Sequence, residues 1–154
     1  MNLWEQILLG MVAVIVTFLF WPGIKKAIEQ SKNNYNVIVC VRRGGVYQEK
    51  LEKNNIKVLK IGDFSSVRIK SLMKCFHIIK KIKPDIVQSW LPQMDIYLGL
   101  IAKIVKINWI MTERSNFNAY NIYGIQYQLR KFLSKESSMV IANSEIGRKN
   151  WEKV

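Results

Sequence analysis

Histidine occurs once in this sequence of 154 residues, and cysteine only twice. A single imidazole, His77, argues against a histidine-rich zinc site and against a histidine-based triad. Cys40 and Cys75 are too few for a disulfide scaffold, and their separation matches no metal-ligand spacing. Both read as small core residues in a reducing compartment. Acidic residues are scarce as well, 11 against 24 Lys and Arg, for a net charge of +13. Neither G-x-G-x-x-G nor a Walker loop occurs, so a dinucleotide or ATP site lacks its signature. No cofactor is therefore expected. Neither helix-turn-helix nor zinc-finger spacing is present, and aromatics are not interleaved with basic residues, so nucleic acid is not the expected partner.

What is present is an apolar fraction of 49%, enough to bury a core and too high for a disordered chain. The length suits one domain. Charge is unevenly spread. No Lys or Arg precedes Lys25, and residues 25–154 hold all 24 basic residues against 10 acids, a net +14. Residues 1–34 thus read as an anchor segment with a juxtamembrane linker, and 35–154 as a basic body.

Gln6–Ile24 runs for 19 residues without a charge. A membrane-spanning helix needs about 20 predominantly apolar residues. Trp4 and Trp21 bracket the run like an interfacial belt, and Lys25 and Lys26 follow at once. The expected element is a transmembrane helix holding the body on the cytoplasmic side of an inner membrane. The competing expectation is a buried strand, Val12–Leu19, opening an α/β domain. A cleaved signal peptide fits poorly, for want of a basic n-region and a small-residue cleavage site.

From Tyr35 onward the pattern alternates. Val37–Val41, Ile56–Ile61, Asp85–Trp90, Asn108–Thr112 and Ser138–Ala142 read as strands. Helices are expected over Val46–Asn54, from a Ser65 or Ser66 cap to Ile82, over Gln93–Val105, over Ile122–Leu133, and after a Ser144 cap. Such alternation predicts an α/β fold, a parallel sheet covered by helices on both faces. Ligands of such sheets bind at the carboxyl ends of the strands. That singles out Arg42–Gly45, Ser89–Gln93, Thr112–Asn118 and Asn143–Glu145. Gly44 and Gly45 let backbone N–H groups approach an anion. Glu113 is a candidate base or hydroxyl acceptor; Arg114 is a candidate phosphate partner or simply an ion-pair partner of Glu113. Lys74, Lys80, Lys81 and Lys83 form a basic stretch that reads as a solvated helix face, or as one leaning on anionic lipid.

Taken in order, VRRGGVYQEKLEKNNIKV, KKIKPDIVQSWLPQMDIYLGLIAKI, WIMTERSN and VIANSEIGRKNW resemble the N-terminal domain of glycosyltransferase family 4, the retaining GT-B enzymes. The resemblance covers about Val37–Trp151, and KPDIVQSWLP with TERSN carries most of it. It implies a single Rossmann-like GT-B lobe that binds a glycan or lipid-linked acceptor. Gly44, Gly45, Ser89, Trp90, Gln93 and Asn116 would then bind acceptor. Glu113 and Arg114 would carry the catalytic role, and Asn143, Ser144 and Glu145 would lie on the hinge side of the cleft. FLFWPGIKKAIEQ stands where the family has its first strand and Gly-Gly loop, and Gln88 where it has a histidine. No Glu-x7-Glu element occurs before Val154. The resemblance therefore implies transfer only together with a separate donor-domain subunit. The alternative is a non-catalytic, membrane-tethered interaction module or a truncated remnant.

Overall fold

The computed structural model describes residues 12–16, 21–33, 35–41, 47–62, 69–114 and 124–153. Among the described residues, six strands form one parallel sheet: β1 (Val12–Val16), β2 (Asn36–Val41), β3 (Lys57–Lys60), β4 (Ile86–Ser89), β5 (Asn108–Glu113) and β6 (Met139–Ala142). Their spatial order is β3-β2-β1-β4-β5-β6. Between them lie α1 (Trp21–Lys32), α2 (Gln48–Glu52), α3 (Ile69–Ile82), α4 (Pro92–Val105) and α5 (Ile125–Ser134), with α6 (Glu145–Trp151) closing the series.

β1 corrects the transmembrane reading of Gln6–Ile24. Val12–Val16 pairs in parallel with β2 on one edge and with β4 on the other. A central parallel strand is flanked by neighbours on both edges and covered on both faces, and such strands read as continuous apolar runs. That accounts for the apolar character of Val12–Val16 as a central strand. The strand expectation holds over Val12–Val16, and residues 17–19 of the expected span lie outside the described residues. It also joins residues 12–16 to the sheet of the basic body. Among the described residues, no helix is long and apolar enough to cross a membrane.

Strand alternation sorts the core into two clusters. Val37, Val39 and Val41 of β2 gather with Leu51 and Ile56 and with Ile28 of α1. Ile38 and Cys40 face the opposite way, with Cys75 and Ile79 of α3, Leu98 and Ile101 of α4, and Leu133 of α5. Helices α1 and α2 thus cover one face of the β1–β3 half. Helices α3, α4 and α5 cover the other face, as right-handed crossovers reversing direction after β3 require. Burial pushes both thiols, Cys40 and Cys75, up to about 12, which leaves them as inert core groups. His77 is exposed, its Nδ1 at 2.7 Å from the Met73 carbonyl.

Helix ends follow local chemistry. Pro92 opens α4, where a missing N–H is harmless. Lys83 before Pro84 and Lys106 after α4 take left-handed backbone, with φ of 50° and 58°. Their N–H groups close the last turns onto the Ile79 and Ala102 carbonyls. Ser144 caps α6 as expected, its hydroxyl accepting from the Gly147 N–H at 3.1 Å.

α4 and α5 touch at Gly99. A Cβ there would lie 2.9 Å from Leu133 Cβ and 2.9 Å from the Trp109 ring. Gly99→Ala is accordingly expected to destabilise the fold by about 1–3 kcal/mol through overpacking. Urea unfolding checks this, and an unchanged midpoint would show that the contact yields freely.

Candidate functional site

With this strand order, the chain leaves β1 toward β2 and enters β4 from the far side. Connections diverge at the carboxyl ends of β1 and β4, the place where sheets of this order hold their ligand crevice. Among the described residues, those at these carboxyl ends are Ser89 to Gln93 after β4, Glu113 and Arg114 at the end of β5, and Asn143 to Glu145 after β6. Gly44, Gly45 and Asn116 lie outside the described residues. The other candidates fall into two groups.

The first group is a buried ionic cluster under the carboxyl ends of β4 and β5. Arg130, on the inner face of α5, is 1% exposed and sits between two carboxylates. Its Nε donates to Asp95 Oδ2 at 2.5 Å, and its Nη1 to Glu113 Oε2 at 2.7 Å. Glu113 Oε2 also accepts from Trp151 Nε1 at 3.0 Å, tying in α6. The Ser89 hydroxyl donates to Asp95 Oδ1 and accepts from Trp109 Nε1 at 2.9 Å. The Arg130 guanidinium also stacks 4.9 Å from the Trp151 ring centroid. Asp95 and Glu113 are 0% and 1% exposed. Burial pushes the Asp95 carboxyl up to about 6, outweighing Arg130 and the Ser89 hydrogen bond, and neighbouring Glu113 adds to the rise. A second buried polar pair lies on the opposite sheet face, where Gln88 Nε2 donates to Thr112 Oγ1 at 2.8 Å.

The second group lies at the crevice itself. Trp90 follows β4 and is 7% exposed, sharing a cluster with Val41 and Tyr47. The Arg114 guanidinium lies 4.9 Å from the Trp90 ring centroid. The Trp90 indole N–H is buried and meets no hydrogen-bond acceptor among the described residues. Asn143 reaches across from the end of β6, with Nδ2 on the Arg114 carbonyl at 3.2 Å and its own N–H on the Glu113 carbonyl at 3.2 Å. Gln93 is half-buried in the first turn of α4. Glu145 is exposed and pairs with Arg148 at 2.5 Å, which holds its carboxyl below the usual range.

The structure thus brings Trp90, Arg114 and Asn143 together, and places Ser89 and Glu113 in the ionic cluster behind them. Glu113 meets Arg130 rather than Arg114 in that cluster. Ser144 acts as a helix cap, and Glu145 is tied to its own helix. Sequence reasoning missed Asp95 and Arg130. Asp95 carried a signal, as the lone acid inside the apolar helix PQMDIYLGLIAKIV. Arg130 carried none in a helix already rich in basic and polar residues. Among the described residues, no group of three or more His, Cys, Asp or Glu is placed to hold a metal ion.

Removing Arg130 leaves two buried carboxylates uncompensated. Arg130→Met is expected to destabilise the chain by about 3–5 kcal/mol at neutral pH in urea unfolding; a change below about 1 kcal/mol would remove the cluster as a structural brace. A raised folded-state pKa contributes stability that is complete below the unfolded value near 3.8 and is lost as pH rises through about 6. The stability of the parent relative to Asp95→Asn should therefore fall between those values, by about 3 kcal/mol. A difference that grows with pH would mean that Arg130, not burial, governs Asp95.

Known proteins share this architecture. The family model described as "Glycosyl transferase 4-like" matches residues 8–144. No curated protein sequence matches. Among solved structures, HepE from Anabaena in complex with UDP and glucose superposes with a TM-score of 0.71 at 14% identity, covering 93% of this chain and 41% of HepE. MurG from Acinetobacter baumannii gives 0.63 at 15% identity, covering 87% and 42%. The UDP-GlcNAc 2-epimerase of Methanocaldococcus jannaschii gives 0.60 at 18% identity, covering 94% and 42%. The chain spans about two fifths of each of these proteins, and the likeness is one of fold, a single GT-B lobe. With a match that runs from before β1 to the α6 cap, the chain belongs to the glycosyl transferase 4-like family.

Proposed function

We infer that this chain is the acceptor-binding lobe of a sugar transferase. In this reading a glycan or lipid-linked acceptor occupies the crevice at the carboxyl ends of β4, β5 and β6. A nucleotide-sugar is then supplied by a donor-binding lobe on the opposite side of the cleft. The GT-B fold is shared with epimerases, so the fold does not by itself select transfer; the family match favours it.

One observation carries the placement of the acceptor. A buried indole N–H without an acceptor costs free energy, about 1–3 kcal/mol, unless something supplies an oxygen. Trp90 offers that donor at the crevice, and its ring offers an apolar face of the kind on which sugar rings pack. Arg114 beside it adds positive charge for a phosphate or a developing negative charge. Asn143, anchored on the backbone of Glu113 and Arg114, holds the β5 and β6 ends at a fixed spacing. Gln93, Gly44, Gly45 and Asn116 complete the acceptor set in this reading. Ser144 and Glu145 border its hinge side. Glu113 serves as the buried carboxylate that orients the β5 end from which Arg114 projects.

The test is titration of the chain with a short-chain polyprenyl-phosphate sugar and, separately, with UDP-glucose, read by tryptophan fluorescence. Binding of the acceptor analogue, weakened about tenfold in Arg114→Ala and in Trp90→Phe, supports the reading. Preferential binding of UDP-glucose would assign the lobe to the donor instead.

A further inference from the structure

We propose that a hollow between the carboxyl ends of α3 and α4, at the amino ends of β4 and β5, binds a small organic phosphate, an anion that carries an apolar group. The hollow measures about 350 Å³. Its apolar part is Ile79, Pro84, Val105 and Ile107; Ile79 is buried, and Val105 and Ile107 are half-buried. Three exposed lysines border it, Lys80, Lys83 and Lys106, against one carboxylate, Asp85. The other acid that Lys106 meets, Glu136, is paired with Lys103 at 2.7 Å. Asn108 adds a side-chain amide, whose oxygen accepts from the Ser138 hydroxyl at 3.3 Å. This is the end of the sheet opposite the crevice, so the proposal does not rest on the acceptor reading.

Two of the lysines stand where lysine is the unexpected residue. Left-handed backbone disfavours side chains other than glycine, with Asn the usual exception. Among the described residues, the positions with positive φ are Asn55, Gly62, Lys83 and Lys106. Asn55 and Gly62 follow the rule. Lys83 and Lys106 break it, and both border this hollow. The helix dipoles do not account for them, because α3 already has Lys80 and Lys81 in its last turn and α4 has Lys103. What the two positions share is the hollow. Ammonium groups from both helix ends suit a phosphate, which accepts from several donors at once. The apolar surface between them suits the group that the phosphate carries. A bare anion would leave that surface wet, and a neutral apolar molecule would leave the ammonium groups unused.

The experiment is titration of the full chain with phenyl phosphate, inorganic phosphate and phenol at low salt, each followed by amide chemical shifts. Phenyl phosphate is expected to move the Lys83, Lys106 and Asn108 amides. Its affinity should exceed that of inorganic phosphate and of phenol by about tenfold and fall with added salt. The double variant Lys83→Asn, Lys106→Asn keeps side chains that accept left-handed backbone and removes two charges. It should weaken binding at least about tenfold and leave the urea midpoint unchanged or higher. Lys80→Gln, at an exposed position, should weaken binding about threefold with the fold untouched. Phenyl phosphate that binds no more tightly than inorganic phosphate, binding indifferent to both variants, or capture by phosphatidylglycerol vesicles without any response to phenyl phosphate would each overturn the proposal. A lower urea midpoint in the double variant would assign the two lysines to the helix ends instead, and would overturn it as well.

Discussion

Arg130 is the residue on which the carboxyl end of the sheet depends. A guanidinium with almost no exposure is tolerable only when its charge is matched and its donors are used. Two carboxylates, from α4 and from the end of β5, meet that demand. The bond from Trp151 to Glu113 then recruits α6, and Ser89 with Trp109 recruits β4 and β5. One cation thereby sets the mutual positions of α4, α5, α6 and the two strand ends bordering the crevice. Apolar burial alone would fill this space more cheaply, but without fixing one geometry. The buried hydrogen bonds here are directional, and the crevice inherits their register.

That arrangement separates two roles that sequence proximity would merge. Glu113 and Arg114 are neighbours, yet strand alternation sends them apart. Glu113 points into the cluster under α5, while Arg114 lies over Trp90. The carboxylate is part of the frame, and in the proposed reading the guanidinium with the indole is the part that meets the acceptor. A lobe that contributes positioning while another supplies the nucleotide-sugar is consistent with that division, and with a chain that spans about two fifths of its structural neighbours.

Much of the fold was readable from local pattern. The β-branched runs of β2 and β5, the stop at Pro84 and the Ser144 cap each follow from near-neighbour chemistry, and each lies within a residue or two of its expected place. β1 was ambiguous for a physical reason. A central parallel strand and a membrane helix both exclude charge, and periodicity cannot separate them when every position is apolar. Pairing with β2 and β4 decides the matter, and the paired residues lie 24 and 73 positions downstream, as in Val12 with Asn36 and Ala13 with Ile86. The ionic cluster was hidden likewise, since Arg130 lies 35 residues from Asp95 and 17 from Glu113. The row Ile125, Leu129, Phe132 misleads in the opposite sense. Its spacing says core, and only the inward turn of Arg130 shows that it faces solvent.

The central claim, that Arg130 organises the crevice end of the sheet, is tested most directly by native-state hydrogen exchange on the parent and on Arg130→Met under conditions where both remain folded. The account predicts a selective loss of amide protection at the carboxyl ends, at Glu113, Asn143 and the α6 turn, with the amino-terminal halves of β2 and β4 unchanged. A uniform fall in protection across the whole sheet would contradict it, and would reduce Arg130 to one contributor among many to global stability.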